Sequence, residues 1–74
     1  MMRFRMFTKA ASGSKIAINY KMVRAVYELP ALGEDTARSR IAMHPVNNKA
    51  GNLEYVDVEE DFDVVLSRLN MVVK

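Results

Sequence analysis

The first twenty residues alternate, and that period confines the fold more than any other feature. Met2, Phe4 and Met6 fall on one side of an extended chain, and Arg3 and Arg5 fall on the other. After Ala11-Ser12-Gly13-Ser14 the alternation resumes, with Ile16, Ile18 and Tyr20 together. A repeat of two is that of a half-buried strand, because successive side chains point to opposite faces. Gly13 supplies the positive φ that a tight turn uses. The segment therefore predicts a β-hairpin, and a lone hairpin is marginal in water, so further strands or a helix must cover it.

The rest of the chain provides them. Met22 to Leu29 fits a strand with Val23, Ala25, Tyr27 and Leu29 on one face, or a helix with Met22, Val23, Val26 and Tyr27 together. Its β-branched and aromatic content and the prompt stop at Pro30 favour the strand. Ser39 to His44 reads as a fourth strand with Ile41 and Met43 inward, and Leu53 to Val58 as a fifth after the turn chemistry of Asn47 to Asn52. Phe62, Val65, Leu66, Leu69 and then Val72 or Val73 switch to helical spacing. Asp57 and Glu60 have capping-box spacing, and Glu59, Glu60 and Asp61 suit a helix start. The expected single domain, residues 1–74, has strands at about 2–8, 15–20, 22–29, 39–44 and 53–58 and a helix at about 59–70. The expected fold is mainly β. It is a five-stranded SH3-like or Sm-like small barrel, or a bent antiparallel sheet, with a C-terminal amphipathic helix.

A chain of 74 residues buries only about 60% of the surface its unfolded form exposes. Small domains offset that with disulfides, metals or association. There is no cysteine, and His44 is the only histidine, so neither a disulfide nor a metal centre is expected. Association remains, and a homo-oligomer is the expectation. No apolar run reaches the roughly 18 residues of a membrane span. Arg3 and Arg5 interrupt the N-terminal apolar stretch, so it does not read as an export signal and a cytoplasmic location is expected.

Charge is segregated although the net value is only +2. Six basic residues and no acid occupy Met1 to Arg24, whereas six acids face Arg68 and Lys74 between Leu53 and Lys74. Such halves can neutralise one another, present a basic face to an anionic partner, or meet between copies.

No catalytic set emerges. His44 has no marked serine partner, and the Asp57–Asp63 carboxylates belong to a helix start rather than to a buried acid–base pair. Gly13 with Lys15 lacks the second glycine and the helix of a phosphate loop. Neither an enzyme, a cofactor nor a small-molecule substrate is expected. A binding surface is what remains. Arg3, Arg5, Lys9, Lys15, Asn19, Lys21 and Arg24 are the candidate nucleic-acid-binding residues, on a basic hairpin face. Tyr20, Tyr27, Tyr55 and Phe7 are candidate stacking surfaces where exposed.

Gly13-Ser14-Lys15-Ile16-Ala17-Ile18 is similar to the opening of the first signature of Sm and LSm-like proteins: a glycine followed by apolar residues at plus three and plus five. The whole chain also looks like tiny Sm-like proteins of phage or marine metagenomic type. That resemblance implies a ring of identical subunits binding RNA or single-stranded DNA. The helix precedes the barrel in that family and follows it here. The family's Asp-x-x-Met-Asn element and Arg-Gly pair have no counterparts, so no family base-binding residue is carried over. Ile16-Ala17-Ile18-Asn19, with the Val56–Leu69 end, also resembles small flagellar or swarming-associated proteins, which implies a protein partner instead. The sequence thus predicts a non-catalytic nucleic-acid-binding module acting as a homo-oligomeric ring, with a protein-interaction or assembly subunit as the alternative.

Overall fold

Phe4–Thr8 forms β1 and Lys15–Asn19 forms β2, antiparallel neighbours in a computed structural model that describes residues 3–44 and 53–70. Met2, the Asn47–Asn52 turn, and Val72 and Val73 lie outside the described residues. The hairpin turn is closed at Lys9, whose carbonyl accepts the Gly13 N–H at 2.8 Å and whose N–H donates to the Ser14 carbonyl at 2.8 Å. Gly13 adopts φ +73°, the left-handed conformation that only glycine reaches without strain.

Turn length sets the register, and the register reverses the expected face of β1. Thr8 pairs with Lys15, so Phe7 lies opposite Ile16 and Arg5 opposite Ile18. Odd residues of β1 therefore share a face with even residues of β2. Once Ile18 is buried, Phe7 must be buried beside it, and both are. Phe4 and Met6, expected inside, are each 52% exposed on the outer face. A one-residue change of register exchanges every side chain between faces, so strand alternation without turn geometry left the choice open.

A single 3₁₀ turn, Tyr20–Met22, follows and is capped by the Asn19 side chain, which accepts the Lys21 N–H. It leads into β3 (Val23–Glu28), β4 (Ser39–Met43) and β5 (Glu54–Val58), an antiparallel sheet in the order β3–β4–β5. The β3–β4 register shifts between Val23 and Ala25, leaving Arg24 as an extra residue. That bulge changes which side chains enter the core: Val23 and Val26 pack inward, and Tyr27 is turned out. The expected Val23-Ala25-Tyr27-Leu29 face is thus interrupted.

The fold is mainly β, with five antiparallel strands in two sheets and one C-terminal helix, and no closed barrel forms among the described residues. Among the described residues one bridge joins the two sheets, Lys9 with Val58, flanked by bonds from Ala10 N–H to the Asp57 carbonyl and from Glu59 N–H to the Thr8 carbonyl, each 2.9 Å. Helix α1, Phe62–Arg68, buries Val65 and Leu66, and Leu69 just beyond it is also buried. The core joins Phe7 and Ile18 of the hairpin, Ile41 and Val58 of the sheet, and Val65 and Leu69 of the helical segment. Asn70, at φ 58°, follows the helix in a left-handed conformation that asparagine tolerates and that commonly ends helices.

The acidic segment before α1 does not form the expected capping box. Asp57 is engaged by Arg40, and Glu60 accepts from Thr8 N–H at 2.9 Å and from the Thr8 hydroxyl at 2.9 Å. Asp61 occupies the N-cap position without a side-chain capping bond, so the helix starts three residues later than its charge pattern implied.

Candidate nucleic-acid interface

The seven residues expected to form one basic face are dispersed. Arg5 shares the inner face of β1 with Phe7; its guanidinium lies 5.3 Å from the Tyr20 ring centroid and donates to the Arg68 carbonyl. The inner rim accepts this arginine because its apolar stem packs while its head reaches the negative end of α1. Lys15 lies on the outer face and donates to the Thr8 hydroxyl at 2.9 Å. Asn19 is consumed in capping the 3₁₀ turn. Arg3 and Lys21 are exposed together at the open end of the hairpin, where the Tyr20 N–H donates to the Arg3 carbonyl, and Arg24 sits in the β3 bulge, where its guanidinium meets His44. Lys9 belongs to the inter-sheet bridge. The expected common face of Arg3, Arg5, Lys15 and Asn19 is therefore corrected by the hairpin register: Arg5 points inward, Lys15 and Asn19 outward.

Of the four aromatic candidates, Phe7 is fully buried and Tyr20 is half-buried beneath Arg5. Tyr27 and Tyr55 are 48% and 58% exposed. The register puts them on the same face of the three-stranded sheet. Tyr27 of β3 lies opposite Arg40 of β4, which lies opposite Asp57 of β5. In the neighbouring row Ala25 faces Ala42, and Ala42 faces Tyr55. The two tyrosines are thus two strands and one row apart, a diagonal that strand spacing and rise make roughly 12 Å long.

Arg40 spans the row. Its Nε and Nη2 donate to the two Asp57 carboxylate oxygens at 2.7 and 3.1 Å, a fork-to-fork geometry. The hydrogen bond donated to Asp57 raises the Arg40 pKa above its ordinary value.

Beyond Asp57 the two sheets diverge. An open depression of about 480 Å³ lies there, lined by Lys9, Ala11, Arg40, Tyr55, Val56 and Asp57. Its volume is within the roughly 300–1,000 Å³ of small-ligand clefts. Because Asp57 turns its carbonyl toward β1, the two-residue alternation of a strand turns the Tyr55 backbone groups to that same side. The depression thus combines two cationic side chains, one carboxylate, an exposed aromatic ring and strand-edge polar groups.

A second polar cluster is structural. Glu60 accepts from Thr8 and lies 3.4 Å from Arg68 Nη1. Burial pushes the Glu60 carboxyl up, but the Thr8 N–H and hydroxyl bonds and the charge of Arg68 outweigh it and leave its pKa below the usual value. A lowered value is the opposite of what general acid catalysis needs. Among the described residues no group of three or more metal-ligating side chains assembles. No described helix is long and apolar enough to cross a membrane.

Arg40 was not singled out from the sequence, and Asp57 was read only as part of a helix start, not as the partner of Arg40. The signal was present in the alternation of Ser39-Arg40-Ile41-Ala42-Met43 and Glu54-Tyr55-Val56-Asp57-Val58, which places Arg40 and Asp57 opposite the core-facing residues. Their pairing depended on the register between strands, which alternation alone does not supply. No protein family, curated protein or solved structure matches the chain.

Proposed function

We propose that the protein is a non-catalytic module that binds single-stranded nucleic acid, RNA or DNA, as a homo-oligomer. Its contact surface is the outer face of β3–β4–β5 with the adjoining Lys9 depression. The supporting observation is the exposure of Tyr27 and Tyr55 on one sheet face with Arg40 on the strand between theirs. Exposed tyrosines stack on bases of any sequence, and neighbouring cations meet the phosphates. A repeated surface in a homo-oligomer, a ring in the simplest closed form, would multiply weak contacts. β2 and β3 are both edge strands of their sheets among the described residues, which leaves strand edges for association.

The test is fluorescence polarisation of a labelled single-stranded oligonucleotide across a salt series. Tyr27→Ala and Tyr55→Ala should each weaken binding about tenfold, in line with the roughly 1–3 kcal/mol of a base–aromatic stack. Affinity should fall with salt as counterions are released. Phe4→Ala, on the outer hairpin face, should leave affinity unchanged. Wild-type affinity in the Tyr27→Ala/Tyr55→Ala variant would reject this surface.

A second reading has its own support. Phe4 and Met6 are both exposed on the outer face of the hairpin, with Ala17 between the strands' polar ends. Exposed neighbouring apolar side chains mark protein contacts, and on this reading the chain is an assembly subunit with no affinity for nucleic acid.

A further inference from the structure

We propose that the depression between the hairpin turn and β5 holds one nucleotide unit of a bound strand, and that the incoming phosphate displaces the Asp57 carboxylate from Arg40. This inference rests on the nucleic-acid reading above and concerns the control of that site. Asp57 is, in effect, a built-in competitor for the phosphate.

The geometry supports each part. Arg40 offers its guanidinium edge to two carboxylate oxygens of Asp57 at 2.7 and 3.1 Å, the same bidentate pattern that a phosphate accepts. The pair is open to solvent, with the Arg40 and Asp57 side chains 46% and 35% exposed, so exchange of one anion for another needs no change in the core. An exposed ion pair is also weak, so a phosphodiester, singly charged like the carboxylate but approached by a second cation, can take its place. That second cation is Lys9, which lines the same depression. Tyr55, 58% exposed, forms another wall and supplies the aromatic surface for the base. The Tyr55 backbone groups, turned to the side that β1 leaves after Ala10, offer a donor and an acceptor to the base edge. Phosphate, base and edge contacts are therefore available within one cleft of about 480 Å³.

Displacement has a measurable consequence: removing the competitor should improve binding. Asp57→Asn is nearly isosteric, and the Asp57 backbone carbonyl that receives the Ala10 N–H is retained. The experiment is polarisation of a fluorescein-labelled single-stranded RNA 12-mer with the full chain. It compares wild type, Asp57→Asn, Arg40→Gln and the double variant at several salt concentrations.

Asp57→Asn should tighten binding about fivefold and steepen the salt dependence by roughly one released counterion, a slope change near 0.7 for a single strand. In the Arg40→Gln background the same substitution should give no gain. Unchanged affinity of Asp57→Asn beside a binding wild type would overturn the displacement while leaving the nucleic-acid reading intact. An equal gain with and without Arg40 would also overturn it, because general loss of negative charge would then be the cause. Failure of the wild type to bind any strand would instead overturn the underlying reading. Competition by uridine monophosphate only at concentrations far above the 12-mer supports a strand-borne nucleotide; competition at equal concentration would make the ligand a free nucleotide and overturn the strand as its source.

Discussion

Arg5 donates through Nε to the carbonyl of Arg68 at 2.9 Å, and Arg68 donates in return through Nη1 to the carbonyl of Met6, the residue after Arg5, also at 2.9 Å. The two arginines are 63 residues apart, and together they tie the last turn of α1 to β1. The Arg68 guanidinium also lies 5.7 Å from the centroid of the Phe7 ring. Both head groups are in part exposed, so each bond is worth less than a buried charged one. Arg5→Met and Arg68→Met, which keep an apolar stem, should each cost about 1–2 kcal/mol of unfolding free energy. Because each bond positions the segment the other uses, the double variant should lose less than the sum by at least about 0.5 kcal/mol. Urea denaturation of the four proteins measures the cycle, and strict additivity would mean that the two bonds act independently.

Phe7 and Phe4 give the sharpest test of the hairpin register. Phe7 is fully buried against Ile18, Val58 and Val65, whereas Phe4 is 52% exposed. Phe7→Ala should cost about 3–5 kcal/mol, enough to unfold a small domain. Phe4→Ala should stay within about 0.5 kcal/mol of wild type. Thermal melts distinguish the two, and a reversed order would place the other face of β1 in the core.

Glu60 links the hairpin to the segment before α1 and should make stability depend on acid. Its folded pKa is lowered, so its stabilising contribution is complete above the unfolded value, about 4.3. The contribution fades as the pH falls through the folded value, since protonation then releases Thr8 N–H and Arg68 from a carboxylate. Glu60→Gln should be less stable than wild type by about 1.5–3 kcal/mol at pH 7. The difference should shrink as the pH is lowered below about 4.3. Melting temperatures of both proteins from pH 7 to pH 2 are the measurement, and a gap of constant size would rule out titration of this carboxylate as the cause.

Gly13 supports the turn whose length decides the faces of the hairpin. An added Cβ would meet nothing within 4 Å, so any cost of Gly13→Ala comes from its φ of +73°. That left-handed conformation should cost an alanine about 1–2 kcal/mol. Chemical denaturation provides the value, and a neutral result would mean that the turn relaxes to another conformation without loss.

The number of strands, the hairpin at Gly13, the terminal helix and its Val65-Leu66-Leu69 stripe are all readable from residue spacing, because period and turn chemistry are local properties. The faces are a different matter. Phe4 and Met6 alternate as convincingly as Arg5 and Phe7, and only the Thr8–Lys15 pairing, set by the bonds at Lys9, puts Phe7 inside. The bulge at Arg24 likewise sends Val26 inward and Tyr27 outward, against an unbroken alternation.

The sequence by itself determined which segments are extended, which is helical and which residues carry charge or an aromatic ring. Tertiary structure decided which of those residues meet. It dispersed the basic N-terminal third, giving Arg5 to the helix end and Lys15 to Thr8. It also assembled Tyr27, Arg40, Tyr55 and Asp57 from three strands onto one face. The reason is physical: a strand's pattern specifies two alternative faces, and only pairing register, bulges and the demand for a filled core choose between them.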